Sequence, residues 1–156
     1  MLKERREAEM QAFESMQEIR AMEDEAYRES GQPKGLLFRE VSENEFEFKT
    51  TIKENHLNAA GITHGGFVAS IIDAGAGTGA HRASGNQSCV TISLDINFVS
   101  ATRLGDEVLG NVKIQKKTKS MVFLNCELKC KGKIVATASG IWKILNKPMV
   151  SAGYGG

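Results

Sequence analysis

Two periods of hydrophobic residues divide the chain. Between residues 3 and 29 Met10, Phe13, Met16, Ile19, Met22 and Tyr27 recur every three to five positions without Gly or Pro, which predicts an amphipathic helix ended by Ser30-Gly31-Gln32-Pro33. From Leu36 the period shortens to two. "LLFREV" and "EFEFKTTI", separated by Ser42-Glu43-Asn44, predict a hairpin with Phe46, Phe48 and Thr50 on one face. A loop, "KENHLNAAGIT", leads into a segment apolar nearly all round, which predicts a helix from His64 or Gly65 to about His81. After Ser84-Gly85-Asn86 come four strand-like runs, "CVTISLDINFVS", "DEVLGNVKIQKK", "SMVFLNCELKC" and "KIVATASGIWKIL". The first alternates, with Val90, Ile92, Leu94, Ile96 and Phe98 on one face and Thr91, Ser93, Asp95 and Asn97 on the other. Lys131-Gly132-Lys133 reads as a tight turn and "NKPMVSAGYGG" as a disordered tail.

One apolar helix between a hairpin and four long strands predicts an α+β fold, an antiparallel sheet wrapped around a central helix, with an extra N-terminal helix. The expected divisions are an amphipathic helix over 1–30, one domain over 34–146 and a flexible tail over 147–156. The glycines of the central helix (Gly65, Gly66, Gly75, Gly77, Gly79) cost about 1 kcal/mol each when internal, so they should allow close approach of a sheet or a second helix. A two-layer α+β domain with no active site would show the same periods.

A chain of 156 residues suits one domain, and no apolar run reaches the ~18 residues of a membrane span. There is no signal-peptide core, and nine acidic residues in the first thirty argue against a transit peptide, so a soluble cytoplasmic protein is expected. Cys89, Cys126 and Cys130 lack a zinc spacing. Cys126 and Cys130 share an alternation with Val122, Leu124 and Leu128, which predicts reduced packing residues and no metal site. The net charge of +1 divides into −4 over residues 1–30 and +5 over the rest. That body is too weakly basic for nucleic acid but suits a ligand with a few phosphates; solvated lysines would give the same balance.

Asp73 breaks the apolar helix and therefore needs a use or an exposed position. Nine residues separate it from His64, which at about 100° and 1.5 Å per residue places it on the opposite side of the helix and about 13 Å along the axis. Two antiparallel copies of the helix could bring Asp73 of one to the Gly65 end of the other, which predicts a symmetric dimer with two shared sites. A helix start offers free N–H groups and a positive dipole end, and glycines there admit a ligand to the backbone. An N–H aimed at a carbonyl oxygen together with a carboxylate suits acyl-transfer hydrolysis, with the carboxylate as base or nucleophile. A salt bridge to Arg82 or His81, or simple solvation, would also account for Asp73.

The pattern Asn58-x5-His64-Gly65-Gly66-x6-Asp73, followed by "FVSATRLGD", resembles the hotdog-fold thioesterases of the phenylacetic-acid-degradation type and the related acyl-CoA hydrolases, over about residues 36–146. The resemblance implies a hotdog fold and hydrolysis of an acyl-CoA thioester to a free acid and coenzyme A, without a further cofactor. It implies that Gly65 supplies the N–H that polarises the thioester carbonyl and that Asp73 of the partner chain is base or nucleophile. Asn58 would hold substrate or water, and His64 would support the turn. Thr91 stands where relatives carry a water-orienting Ser. Coenzyme A contacts are implied for Ser100 and Arg103, and for Lys116, Lys117, Lys119 and Ser120 of "KKTKS", a stretch that also fits a solvated hairpin tip.

Two other readings start from the same residues. Hotdog hydratases use a His in a Pro-rich context, whereas Gly65-Gly66 follow His64 and the chain has only two prolines. A non-catalytic acyl-CoA-binding or scaffold module would lack the acid, yet Asp73 is present. The acyl group, and whether a dimer doubles to a tetramer, are not encoded in any motif. Neither a nucleic acid nor a membrane is an expected partner.

Overall fold

The computed structural model describes residues 2–7, which are helical, and 36–146. The rest of the expected N-terminal helix and the expected tail lie outside the described residues. Strands β1 (Leu37–Ser42) and β2 (Glu45–Thr51) form the predicted hairpin, and a 3-10 turn over Glu54–His56 precedes helix α1 (Gly65–Ala83). Strands β3 (Cys89–Phe98), β4 (Glu107–Lys117), β5 (Met121–Cys130) and β6 (Lys133–Ile144) then complete one antiparallel sheet in the order β1-β2-β4-β5-β6-β3. Strand β3 pairs only with β6 and forms one edge. Among the described residues no helix is long and apolar enough to cross a membrane.

The sheet curls about α1, which touches β2 through β6. Phe46, Phe48 and Thr50 face inward as their alternation predicts, and so do Val122, Leu124, Cys126 and Leu128 of β5. Burial pushes the Cys126 thiol up to about 12, with Glu127 adding to it, and all three cysteines are unbridged. The β5–β6 turn has Lys131 at φ 51° and Gly132 at φ 78°, the left-handed pair that a two-residue hairpin loop requires. Ile71, Ile72, Ala76 and Ala80 of α1 meet this core, whereas Gly66, Ser70 and Asp73 form an exposed stripe.

The internal helix glycines have a steric cause. Phe48 sits directly opposite Gly110 of β4, and its ring also lies under Gly75. A Cβ on Gly75 would stand 2.2 Å from Phe48 Cδ1, and one on Gly110 would stand 2.1 Å from Cζ. The fully buried ring is thus pinched between helix and strand, and the helix accepts poor propensity to hold it there. Gly75→Ala should therefore destabilise the fold by about 1 kcal/mol or more, because overpacking of about 1–3 kcal/mol exceeds the gain of about 1 kcal/mol in helix propensity. The urea midpoint measures this; an unchanged or higher midpoint would show that Phe48 does not need the space.

One expected face is wrong. In the β3–β6 pairing Thr91 is opposite Trp142 and Ser93 opposite Ile141, so the register shifts at Ile92. Such a bulge inserts one extra residue and reverses the alternation on either side of it. Thr91 consequently shares the helix-facing side with Leu94 and Ile96, not the side of Ser93 and Asp95. Ile92 lies 50% exposed, and Val90 pairs with the exposed Lys143.

Candidate functional site

The start of α1 is built from three neighbouring pieces of chain. His64 is its N-cap in extended conformation, and His64 Nδ1 accepts the Gly66 N–H at 3.0 Å. The carbonyl of His64 accepts the N–H groups of Phe67 (3.0 Å) and Val68 (3.2 Å). A helix leaves its first N–H groups unpaired, and these bonds satisfy all of that turn except one. The Gly65 N–H has no partner among the described residues. A Cβ at Gly65 would meet the Phe98 ring no closer than 3.6 Å, an ordinary contact, so nothing within the chain demands glycine there.

The loop before α1 is held from two sides. Asn58 Oδ1 accepts the N–H groups of Ala60 (2.9 Å) and Ile62 (3.3 Å), while the Asn58 N–H donates to the Ile62 carbonyl at 2.8 Å. With its oxygen committed to the loop, Asn58 presents its amide NH2, a donor, to anything outside. Thr63 and Thr102, which sequence reasoning missed, form a buried pair. Thr102 donates its hydroxyl to Thr63 Oγ1 at 2.6 Å, and Thr63 donates both N–H (2.8 Å) and hydroxyl (3.1 Å) to the Thr102 carbonyl. These bonds join the β3–β4 loop to the helix start; residues 39 apart give no local signal of such a pair.

His56 was also missed. Its ring stacks on Phe67 with centroids 3.6 Å apart. Partial burial, with the Lys53 charge adding to it, holds its imidazole below the ordinary histidine range.

Asp73 is exposed on α1 and about 12 Å along the axis from Gly65 of its own chain. Its carboxylate accepts the Thr91 hydroxyl at 2.7 Å, the contact that the β3 bulge makes possible. His81 is engaged elsewhere, with Nδ1 at 2.7 Å from the Gln87 carbonyl. Asn58, His64 and Gly65 therefore lie at one end of the helix, with Asp73 and Thr91 forming a separate pair further along it.

The residues implied for coenzyme A fall into two places. Ser100 donates its hydroxyl to the Ile134 carbonyl at 2.6 Å, and the Arg103 N–H donates to Asp106 Oδ2 at 2.9 Å, both near the helix start. Lys117 Nζ instead donates to the carbonyl of Ala83 at 3.1 Å, which puts Lys116, Lys117, Lys119 and Ser120 by the far end of α1. Nineteen helical residues, about 28 Å, separate the ends. Among the described residues no group of three or more His, Cys, Asp or Glu could hold a metal ion.

Residues 60–137, half of the chain, match the family model described as thioesterase superfamily. A presumed esterase of Pseudomonas aeruginosa is 28% identical over 107 residues, 68% of this chain and 80% of that one. Human acyl-coenzyme A thioesterase 13 is 26% identical over 87 residues, 54% of this chain and 62% of its own length. Among solved structures, a hypothetical thioesterase protein of Streptococcus pneumoniae with coenzyme A superposes with a TM-score of 0.67 at 16% identity, covering 74% of this chain and 92% of that one.

Proposed function

The chain belongs to the thioesterase superfamily, and on that premise we propose that it hydrolyses acyl-CoA thioesters to a free acid and coenzyme A in sites shared between two copies. The observation that carries this reading is the Gly65 N–H, the one donor of the first turn left without a partner, at a residue whose missing side chain the fold itself does not need. A donor fixed there meets the requirement for stabilising the oxygen of a tetrahedral intermediate, commonly worth about 3 kcal/mol. The Asn58 NH2 group adds a second donor at the same end. A relative named as an acyl-coenzyme A thioesterase and a structural neighbour holding coenzyme A favour this substrate class over other esters.

A second copy supplies the carboxylate. The exposed stripe of α1 and the unpaired edge of β3 adjoin each other, since Thr91 on one meets Asp73 on the other. Ile92, Phe98 and Val99 expose large apolar side chains along that edge, and a ten-residue open strand is a template for another. Antiparallel packing that levels Asp73 with the partner's Gly65 places the two-fold axis beside Ala69, midway between them, where a small side chain lets the helices approach. Either a water that Asp73 deprotonates attacks the thioester carbon and yields the acid directly, or Asp73 attacks it and water then hydrolyses the resulting anhydride to the acid, with Thr91 orienting the carboxylate. The carbonyl oxygen gathers charge at Gly65, and the coenzyme A thiolate leaves. Thiol release from a panel of aryl, short-chain and long-chain acyl-CoAs tests the activity; no release from any of them would overturn it.

Arg103 is the residue best placed to meet a coenzyme A phosphate near the helix start. Its loop is held through its backbone, N–H to Asp106 and carbonyl from the Asp106 N–H at 3.0 Å, so the exposed guanidinium is free of structural duty. Arg103→Ala should raise KM for acyl-CoA about 3–10-fold with kcat nearly unchanged, the mark of lost uniform binding by one charge-assisted contact. On a thioester truncated to lack the nucleotide the penalty should vanish. Equal penalties on both substrates would place Arg103 outside the nucleotide site.

A further inference from the structure

His56 ties together the pieces on either side of Gly65. Its Nδ1 accepts the Lys53 N–H at 2.9 Å, which closes the 3-10 turn. Its carbonyl accepts the N–H of His64, the N-cap of α1, at 2.8 Å. Its ring lies flat on Phe67, the third residue of α1, with planes 12° apart. The N-cap and the first turn are thus both fastened to one side chain and its backbone, and the Gly65 peptide is suspended between the two fastenings. We propose that His56 is a positioning residue, whose imidazole in its neutral Nε2–H form fixes the direction of the Gly65 N–H.

The tautomer follows from the bond: Nδ1 can accept from Lys53 only if the ring proton is on Nε2. Burial favours that neutral form, because desolvation and the Lys53 charge both oppose protonation. The lever on Gly65 is short. Phe67 and Val68 donate to the His64 carbonyl, so a shift of the Phe67 ring or of His64 turns the whole first coil. Misplacement of a reacting group by about 1 Å can cost about 10²-fold, and a smaller displacement passed on through His64 and Phe67 should cost about tenfold.

The inference rests on the role proposed for Gly65, so its test includes readouts that do not need turnover. His56→Phe keeps an aromatic face against Phe67 but offers Lys53 no acceptor; His56→Asn keeps an acceptor oxygen near the Nδ1 position but loses the stack. On the best acyl-CoA both variants should lower kcat about tenfold with KM within twofold. Hydrogen exchange of the Phe67 and Val68 amides, which donate to the His64 carbonyl, should quicken about tenfold in both, whether or not the protein is a hydrolase. In the wild type, imidazole 15N shifts should report the Nε2–H tautomer near neutral pH. Unchanged kcat and unchanged Phe67 and Val68 exchange in folded variants would overturn the inference, as would a rise in KM alone. If the variants fail to fold, an Nδ1–H tautomer in the wild type overturns it by itself. A wild type inert on every acyl-CoA defeats the hydrolase reading instead, and leaves the exchange and tautomer results to decide His56.

Discussion

Asp73→Asn is expected to leave fold and assembly intact and to lower kcat for acyl-CoA hydrolysis by at least about 10²-fold, the scale of lost acid–base or nucleophilic participation. The substitution is nearly isosteric, and the site lies on the exposed stripe of α1, so no buried group loses a partner. Thr91 donates its hydroxyl to Asp73, and an amide oxygen can accept the same hydrogen bond. What disappears is the negative charge and the basicity, in an otherwise preserved geometry. Initial rates of thiol release measure the effect, and circular dichroism with sizing chromatography checks the fold and the assembly. Turnover equal to the wild type would remove Asp73 from the mechanism and leave its bond to Thr91 as a surface contact.

The parts of the architecture legible in the sequence are those set by period. Alternation placed Phe46, Phe48 and the β5 residues Val122, Leu124, Cys126 and Leu128 inside, and the all-round apolar run placed α1 at the centre. Helix geometry alone separated Asp73 from Gly65, and the structure keeps them apart within one chain. Alternation failed where it depends on an unbroken register. The bulge at Ile92 leaves no mark in a run of β-branched and polar residues, yet it turns Thr91 toward the helix and makes the Asp73–Thr91 bond possible. Contacts between distant loops were equally silent: Thr63 with Thr102 depends on how the β3–β4 connection folds back. His56 lies two residues before Asn58 in a stretch with no period at all, and its stacking on Phe67 arises only because the 3-10 turn brings it over the helix start. The two segments implied for coenzyme A lie by opposite ends of α1 within one chain, a distance that neither composition nor motif could express.

Mixing two variants, each inactive alone, should restore activity if the site is shared. Asp73→Asn disables the carboxylate end. Asn58→Ala disables the helix-start end, since it removes the amide NH2 and also releases the Ala60 and Ile62 N–H groups that hold the loop. In a heterodimer one site combines the intact helix start of the first chain with the intact Asp73 of the second, and the other site carries both defects. Random exchange makes half of the dimers heterodimers with one good site of two, so the mixture should recover about a quarter of wild-type activity. The physical basis is the roughly 12 Å between Gly65 and Asp73 along one helix, too far for both to touch a single thioester carbon. Tagged heterodimers purified after exchange sharpen the result, because they should show about half the wild-type rate per dimer. Heterodimers of confirmed composition that remain inactive would mean that each site is completed within one chain, and that another group on the same protomer must stand in for the carboxylate near Gly65.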